Sequence, residues 1–398
     1  MSRIIPILPQ QTVSPREGSG LSVLPPLSLY VHIPWCVKKC PYCDFNSHEA
    51  RGALPEEAYV AALIRDLELA LPGIWGRRVI SIFFGGGTPS VFSAKSIETL
   101  LDAIRARLNL LPDAEITLEA NPGTVEADKF AAFRQAGVNR LSLGIQSFNE
   151  RHLKALGRIH DGTQARRAIE SALKHFSRIN LDLMYALPEQ SLNEAMEDIT
   201  TAIAFGTAHI SAYHLTLEPN TRFYHDPPPV PEADLAADMQ EGVEAKLIEA
   251  GFEHYETSAF AKPGERCRHN LNYWTFGDYL GIGAGAHSKL SSAQSMIREM
   301  RYKHPQTYLD QVTASAPVQS KEAIDQASLP FEFMMNALRL AEGFDASLFK
   351  ARTGMPLSYI DAPLARAVER GLLEVSPERI RPTSRGRHFL NDLLQIFM

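Results

Sequence analysis

The sequence predicts an α/β protein: a partial parallel (β/α)6 barrel followed by a small α+β, winged-helix-like C-terminal domain. Three observations carry this. Between residues 28 and 250, short apolar runs alternate with longer amphipathic ones, the pattern that builds a parallel sheet with helices on its outer face. Near residue 250 the pattern gives way to a stretch dense in aromatics and glycine, and near 328 helical periodicity returns and ends in a hairpin-like run. A chain of 398 residues is also too long for one ordinary core. The expected division is a flexible leader (1–27), a barrel (28–250), an aromatic and glycine-rich extension (251–325) and a C-terminal domain (326–398).

The predicted barrel strands are 29–33, 79–84, 115–119, 140–145, 180–184 and 210–217, each short, apolar or β-branched, and close to Gly, Pro or Asn. Helical patterns lie between them at 56–71, 94–108, 126–136, 163–176, 192–205 and 232–250. In such folds the loops after the strands carry the chemistry. Further on, helices are expected at 331–340, 346–352 and 357–371, with a hairpin at 372–381 and a last helix from Arg385.

Composition narrows the function. The net charge of −6 offers no general attraction to nucleic acid or anionic lipid. From Ser291 onward, 13 Lys/Arg face 12 Asp/Glu, so the winged-helix-like unit lacks the basic face of a DNA reader and fits packing or partner docking. No apolar run is long enough for a membrane span, and the leader has no apolar core of the secretion type. A cytoplasmic protein, at most transiently at a membrane surface, is expected.

Only four cysteines occur, and three of them fall in His32-Ile-Pro-Trp-Cys36-Val-Lys-Lys-Cys40-Pro-Tyr-Cys43. Thiols clustered in an otherwise cysteine-poor chain suggest metal ligands rather than disulfides. The C-x3-C-x2-C spacing suits a four-iron cluster with one iron left open. Structural zinc would want a fourth ligand, which only the distant Cys267 could supply.

This motif, with Tyr42 before its last cysteine, is similar to the radical S-adenosylmethionine (SAM) signature. Its setting in Ser-Leu-Tyr30-Val-His32-Ile-Pro resembles the oxygen-independent coproporphyrinogen III oxidase family, from residue 28 to the C-terminus. The resemblance implies a [4Fe–4S] cluster on Cys36, Cys40 and Cys43, with SAM chelating the open iron and being cleaved reductively. It further implies SAM contacts from Tyr30, Tyr42, Gly86, Gly87, Thr88, Glu119, Gln146, Arg158 and Asp182, some shared with a second SAM. Taken alone, Gly85-Gly-Gly-Thr88 is more often just a tight turn, and Gly281-Ile-Gly-Ala-Gly285 likewise reads first as a turn, with backbone contact to adenine from Ile282 the lesser alternative.

Two features separate the branches of that family. The oxidases carry a fourth cysteine two residues past the third, where this chain has Phe45. In turn, His269-Asn-Leu-Asn-Tyr273-Trp274 matches the HNxxYW motif of a haem-chaperone branch. This implies haem as bound cargo, with His269, Tyr273 and Trp274 as candidate haem-binding residues and Cys267 as a rival axial ligand. Arg266 and Arg268 are candidates for the propionates. By the residues alone, a histidine beside aromatics is more often a packed core group. The implied recipients are haem-requiring respiratory membrane proteins, and a homodimer is compatible. The alternative is an oxidase converting coproporphyrinogen propionates to vinyls.

Overall fold

The computed structural model describes residues 20–122 and 129–398. Most of the expected leader and the start of the helix expected from Glu126 lie outside the described residues. Strands β1 (Leu27–Ile33), β2 (Arg78–Gly86), β3 (Asn109–Ala120), β4 (Arg140–Gln146), β5 (Ile179–Tyr185) and β6 (His209–His214) lie side by side in chain order. Every neighbouring pair is parallel. The helices that follow them are α1 (Glu56–Ile74), α2 (Ala94–Arg107), α3 (Phe130–Ala136), α4 (Gly162–Leu173), α5 (Leu192–Ala204) and α6 (Ala233–Glu249). The starts of α4 and α5 are fixed by reciprocal caps, Asp161 with Gln164 and Ser191 with Glu194.

Side chains alternate across each strand, and here the alternation separates two environments. Leu29 and Val31, Ile82 and Phe84, Leu141 and Leu143, Leu181 and Leu183 are buried in one core with Tyr59, Leu63 and Leu67 of α1. The opposite, lumenal face carries many polar side chains, and those toward its lower end pair with one another. Ser28 and Ser81 share a hydrogen bond of 2.8 Å. Asn180 donates to Ser142 Oγ at 2.8 Å and meets His209 Nδ1 at 2.6 Å. A buried polar lumen is stable only when partnered in this way.

Residues 251–325 extend both edges of this sheet. β7 (Glu253–Glu256) and β8 (Ala259–Ala261) continue antiparallel beyond β6. Helix α7 (Arg268–Trp274) then crosses to the other side, where β9 (Asp278–Ile282) pairs parallel with β1. β10 (His287–Ser291), β11 (Met296–Arg301) and β12 (Val318–Ala323) follow antiparallel, completing a 12-stranded sheet. In the C-terminal domain, helices α8 (Leu329–Ala337), α9 (Ala346–Thr353) and α10 (Asp361–Glu369) pack with a sheet of Phe344–Asp345, Leu373–Val375 and Arg379–Pro382. Phe333 sits at its centre, edge-on to Phe344 and Phe349. Among the described residues, no helix is long and apolar enough to cross a membrane.

Asp66 of α1 ties the helical layer to the added edge. It is fully buried and accepts from the Arg301 guanidinium at 3.2 Å, the Tyr308 hydroxyl at 2.9 Å and the Gly283 amide at 3.2 Å. Asp66→Ala would leave Arg301 charged and buried beside Glu299 alone. We expect it to lower unfolding free energy by about 3–5 kcal/mol in a urea titration.

Candidate cofactor site

The C-terminal ends of the barrel strands open onto a cavity of about 350 Å³. Cys36, Cys40 and Cys43 reach it from the loop after β1, which is braced on all sides. Trp35–Cys36 pairs with His48–Glu49. Lys39 Nζ donates to the carbonyls of Phe45 and Ser47, each at 3.2 Å. Asn46 Nδ2 donates to the carbonyls of Ala284 and Lys303, each at 2.9 Å. Burial pushes the Cys36 and Cys43 thiols up, so their conversion to thiolate depends on a metal to bind. Arg158 Nη1 donates to Cys40 Sγ at 3.6 Å, placing a cation beside one sulfur.

The glycine run serves this loop directly. A Cβ on Gly86 would stand 2.6 Å from the His32 ring, and one on Gly87 would stand 2.5 Å from the Trp35 carbonyl oxygen. Gly86 also has φ +117°, which disfavours any side chain. The amides here are already engaged: Gly86 with Glu119 at 3.3 Å, Gly87 with the Ile33 carbonyl at 2.8 Å, Thr88 with the Trp35 carbonyl at 2.7 Å. Close packing against the cysteine loop is therefore what the glycines permit. Gly281–Gly285 does the same from the other side, with Gly283 pressed on the His32 carbonyl and Gly285 on Asn46.

Four carboxylates among the described residues line the cavity, Asp44, Glu119, Asp182 and Glu218, and two of them stand on the barrel strands, Glu119 and Asp182. Burial, and then the charge of Asp182, pushes Glu119 up to about 8. Burial also raises Asp182, against hydrogen bonds from Ser142 at 2.7 Å and Asn180 at 2.8 Å. Neither is ion-paired to a cation among the described residues. Arg158 donates to Asn121 Oδ1 and to the Gly144 carbonyl, and Asn121 donates to Thr88 Oγ1 at 2.7 Å. Gln146 turns the chain at the end of β4 with φ +67°, a strained backbone for a non-glycine residue.

Tyr42, Gly86, Gly87, Thr88, Glu119, Gln146, Arg158 and Asp182 thus line one cavity with the three cysteines. Tyr30 does not line it; its hydroxyl meets His32 Nδ1 at 3.1 Å beneath the glycine turn. Sequence reasoning passed over Asn121, Ser142, Tyr213 and His214, which also face the cavity. Asn121 had a signal, two residues past Glu119 at a strand end.

The HNxxYW residues lie elsewhere, on α7 at the opposite end of the lumen. His269 is 1% exposed; Nδ1 meets Ser81 Oγ at 2.9 Å and Nε2 meets the Tyr273 hydroxyl at 3.0 Å. Burial pushes its ring down to about 3, so it stays neutral. Trp274 packs under the Arg339 guanidinium at 4.4 Å. Cys267, pushed up to about 12 by burial, donates to Glu115 at 3.4 Å. The arginines suggested for propionates have acidic partners instead, Arg266 with Glu253 and Glu342, Arg268 with Asp113. In this conformation neither His269 nor Cys267 offers an open ligand position.

The radical SAM superfamily matches residues 30–202, and the HemN C-terminal domain matches residues 324–389. The heme chaperone HemW of Escherichia coli (strain K12) is 48% identical over 94% of this chain and 99% of its own length. The heme chaperone HemW of Haemophilus influenzae is 46% identical over 94% and 98%. This chain belongs to the HemW family. Radical SAM membership implies a [4Fe–4S] cluster and SAM. The solved coproporphyrinogen III oxidase HemN from Escherichia coli shares the fold, with a TM-score of 0.80 at 24% identity over 94% of this chain and 90% of that one.

The residues present fit both groups of this family. Three braced thiols suit three irons of a cubane, and Glu119, whose one polar partner among the described residues is the Gly86 amide, suits the fixed positive charge of a sulfonium. Bound together, the two groups would supply one-electron chemistry at the sulfonium, and Thr88, Gln146 and Arg158, which line the cavity, would be placed to orient SAM.

A proton linkage follows from Glu119. A cationic ligand needs it ionised, so SAM affinity should rise with pH up to about 8 and level off above, with proton release on binding. The sign for stability is opposite: the folded state holds this proton more tightly than the unfolded chain. Glu119 thus costs stability as pH climbs from the ordinary carboxylate range to about 8. Calorimetry of SAM binding across pH, on wild type and Glu119→Gln, checks this; the variant should bind more weakly and lose the pH slope.

Proposed function

We propose that this chain is a haem chaperone, which binds haem and hands it to haem-requiring respiratory membrane proteins. What carries the reading is its 48% identity, along 94% of its length, to a protein named for that task. The likeness to HemN, at 24%, speaks to fold alone. Phe45, where the oxidases carry a fourth cysteine, agrees with the same reading.

Haem is the cargo, and the barrel-mouth cluster and SAM act in control. Cluster occupancy governs assembly of a homodimer or release of haem. The chain works in the cytoplasm and meets its recipients at the membrane surface. His269, Tyr273 and Trp274 remain the candidate haem contacts, on one condition. For His269 to ligate iron it must give up Ser81 and Tyr273, so α7 has to shift away from the lumen.

Haem titrated into anaerobically reconstituted protein, followed by visible spectroscopy, tests the proposal. Wild type should bind stoichiometrically and show no decarboxylation of coproporphyrinogen III with SAM and dithionite. His269→Ala should lose the axial-ligand spectrum. Turnover of the porphyrinogen, or no haem binding, would move the assignment to the oxidase.

A further inference from the structure

A second cavity, of about 270 Å³, lies between α7 and the C-terminal domain. Leu271 and Thr275 face it from one side, Leu340, Phe344 and Leu348 from the other. Three arginines line it, and two have carboxylate partners: Arg266 with Glu253 and Glu342, Arg379 with Asp345. Arg352 differs. Its Nε donates to the Thr275 carbonyl at 3.1 Å, and no carboxylate pairs with it among the described residues. Asp278, whose charge reaches it, is fully buried and already bonded to Arg77 at 2.8 Å and Lys289 at 3.0 Å. Burial without a countercharge of its own holds the Arg352 guanidinium below its usual value, and burial does the same to Lys289. Arg352 is thus the lining cation that has no carboxylate partner among the described residues.

We propose that Arg352 binds a carboxylate arm of an apolar ligand in this cavity, and, resting on the haem-chaperone reading, that the arm is a haem propionate. A guanidinium fork matches a planar carboxylate in two parallel hydrogen bonds. The leucines and Phe344 accept the methylenes of the arm and the edge of the macrocycle. The cavity falls below the range that encloses a drug-sized molecule, so the ring lies across its mouth. Glu342 and Asp345 at the rim disfavour polyanions such as nucleotides, whereas a single carboxylate meets one free guanidinium. Because Leu271 and Thr275 belong to α7 or its end, an occupant here touches the segment that carries His269.

Haem and haem dimethyl ester, titrated separately into reconstituted wild-type and Arg352→Gln protein, distinguish the outcomes. Wild type should prefer haem to the ester by about tenfold or more, the scale of one charge-assisted pair. Arg352→Gln should lose that preference while binding the ester as wild type does, which also shows that it folds. Arg352→Lys, keeping charge without the fork, should fall between them. If both proteins bind haem and ester alike, the propionate site is overturned and the chaperone reading stands. If wild type binds neither, the chaperone reading fails and takes this site with it.

Discussion

A sheet that curls without closing leaves the lower end of its lumen open, and Glu115 on β3 is what holds the closure in place. It is 1% exposed, accepts from the backbone amides of Arg268 and His269, and pairs with Arg178 at 3.0 Å. Burial alone would raise its carboxyl; Arg140, Arg178 and the amides of His269 and Arg268 together outweigh that and hold it below the ordinary value. It is, in effect, a fixed anion at the start of α7. With α7 docked, Asn272 donates to Ser28 Oγ and to the Asp278 carbonyl, so β9 starts in register beside β1. The turn that ends β9 then supports Asn46 and the cysteine loop from below. One carboxylate at the bottom of the barrel thereby governs the loop at its top.

Glu119 stands four residues further along the same strand and on the same face, yet its situation is the reverse. Glu115 has two arginines and two amides; Glu119 has one amide at 3.3 Å and Asp182 as a like-charged neighbour. A satisfied end and an unsatisfied end of one lumen separate structure from function. A buried carboxyl pushed toward its neutral form for want of a partner marks a place that a cationic ligand can complete, and that criterion singles out the barrel mouth without any appeal to motif.

This contrast also explains what could be read from the sequence. The six barrel strands, their helices and the cysteine loop were legible because their signals are local: a period, a cap, a three-residue gap. The oppositely matched pair Glu115 and Glu119 was not, since both occupy lumenal positions of one strand and differ only in what long-range folding brings to them. The acidic partners of Arg266 and Arg268 were not legible for the same reason, as Glu342 and Asp113 are far away in sequence. The resemblance implies a SAM contact from Tyr30, whereas the pleat sets its hydroxyl on His32 beneath the glycine run. Residues 251–325 were recognised as distinct in composition; that they supply both edges of the sheet depends on strand pairing, which short aromatic runs do not encode. Arg352 belongs to no pattern at all.

The same connections constrain how haem and cluster can communicate. Freeing His269 for iron would remove two amide donors and a thiol from Glu115 and leave it facing Arg178 and Arg140 alone. It would also loosen the start of β9, on which the cysteine loop rests. If His269 ligates iron, that ligation and retention of the cluster would draw on one packed element, α7. Linkage requires that such coupling be reciprocal: if haem on His269 weakens the hold on the cluster, the cluster must weaken haem to the same degree. A carrier built this way would tighten on its cargo as its cluster is lost and loosen as the cluster returns, with no separate switch domain.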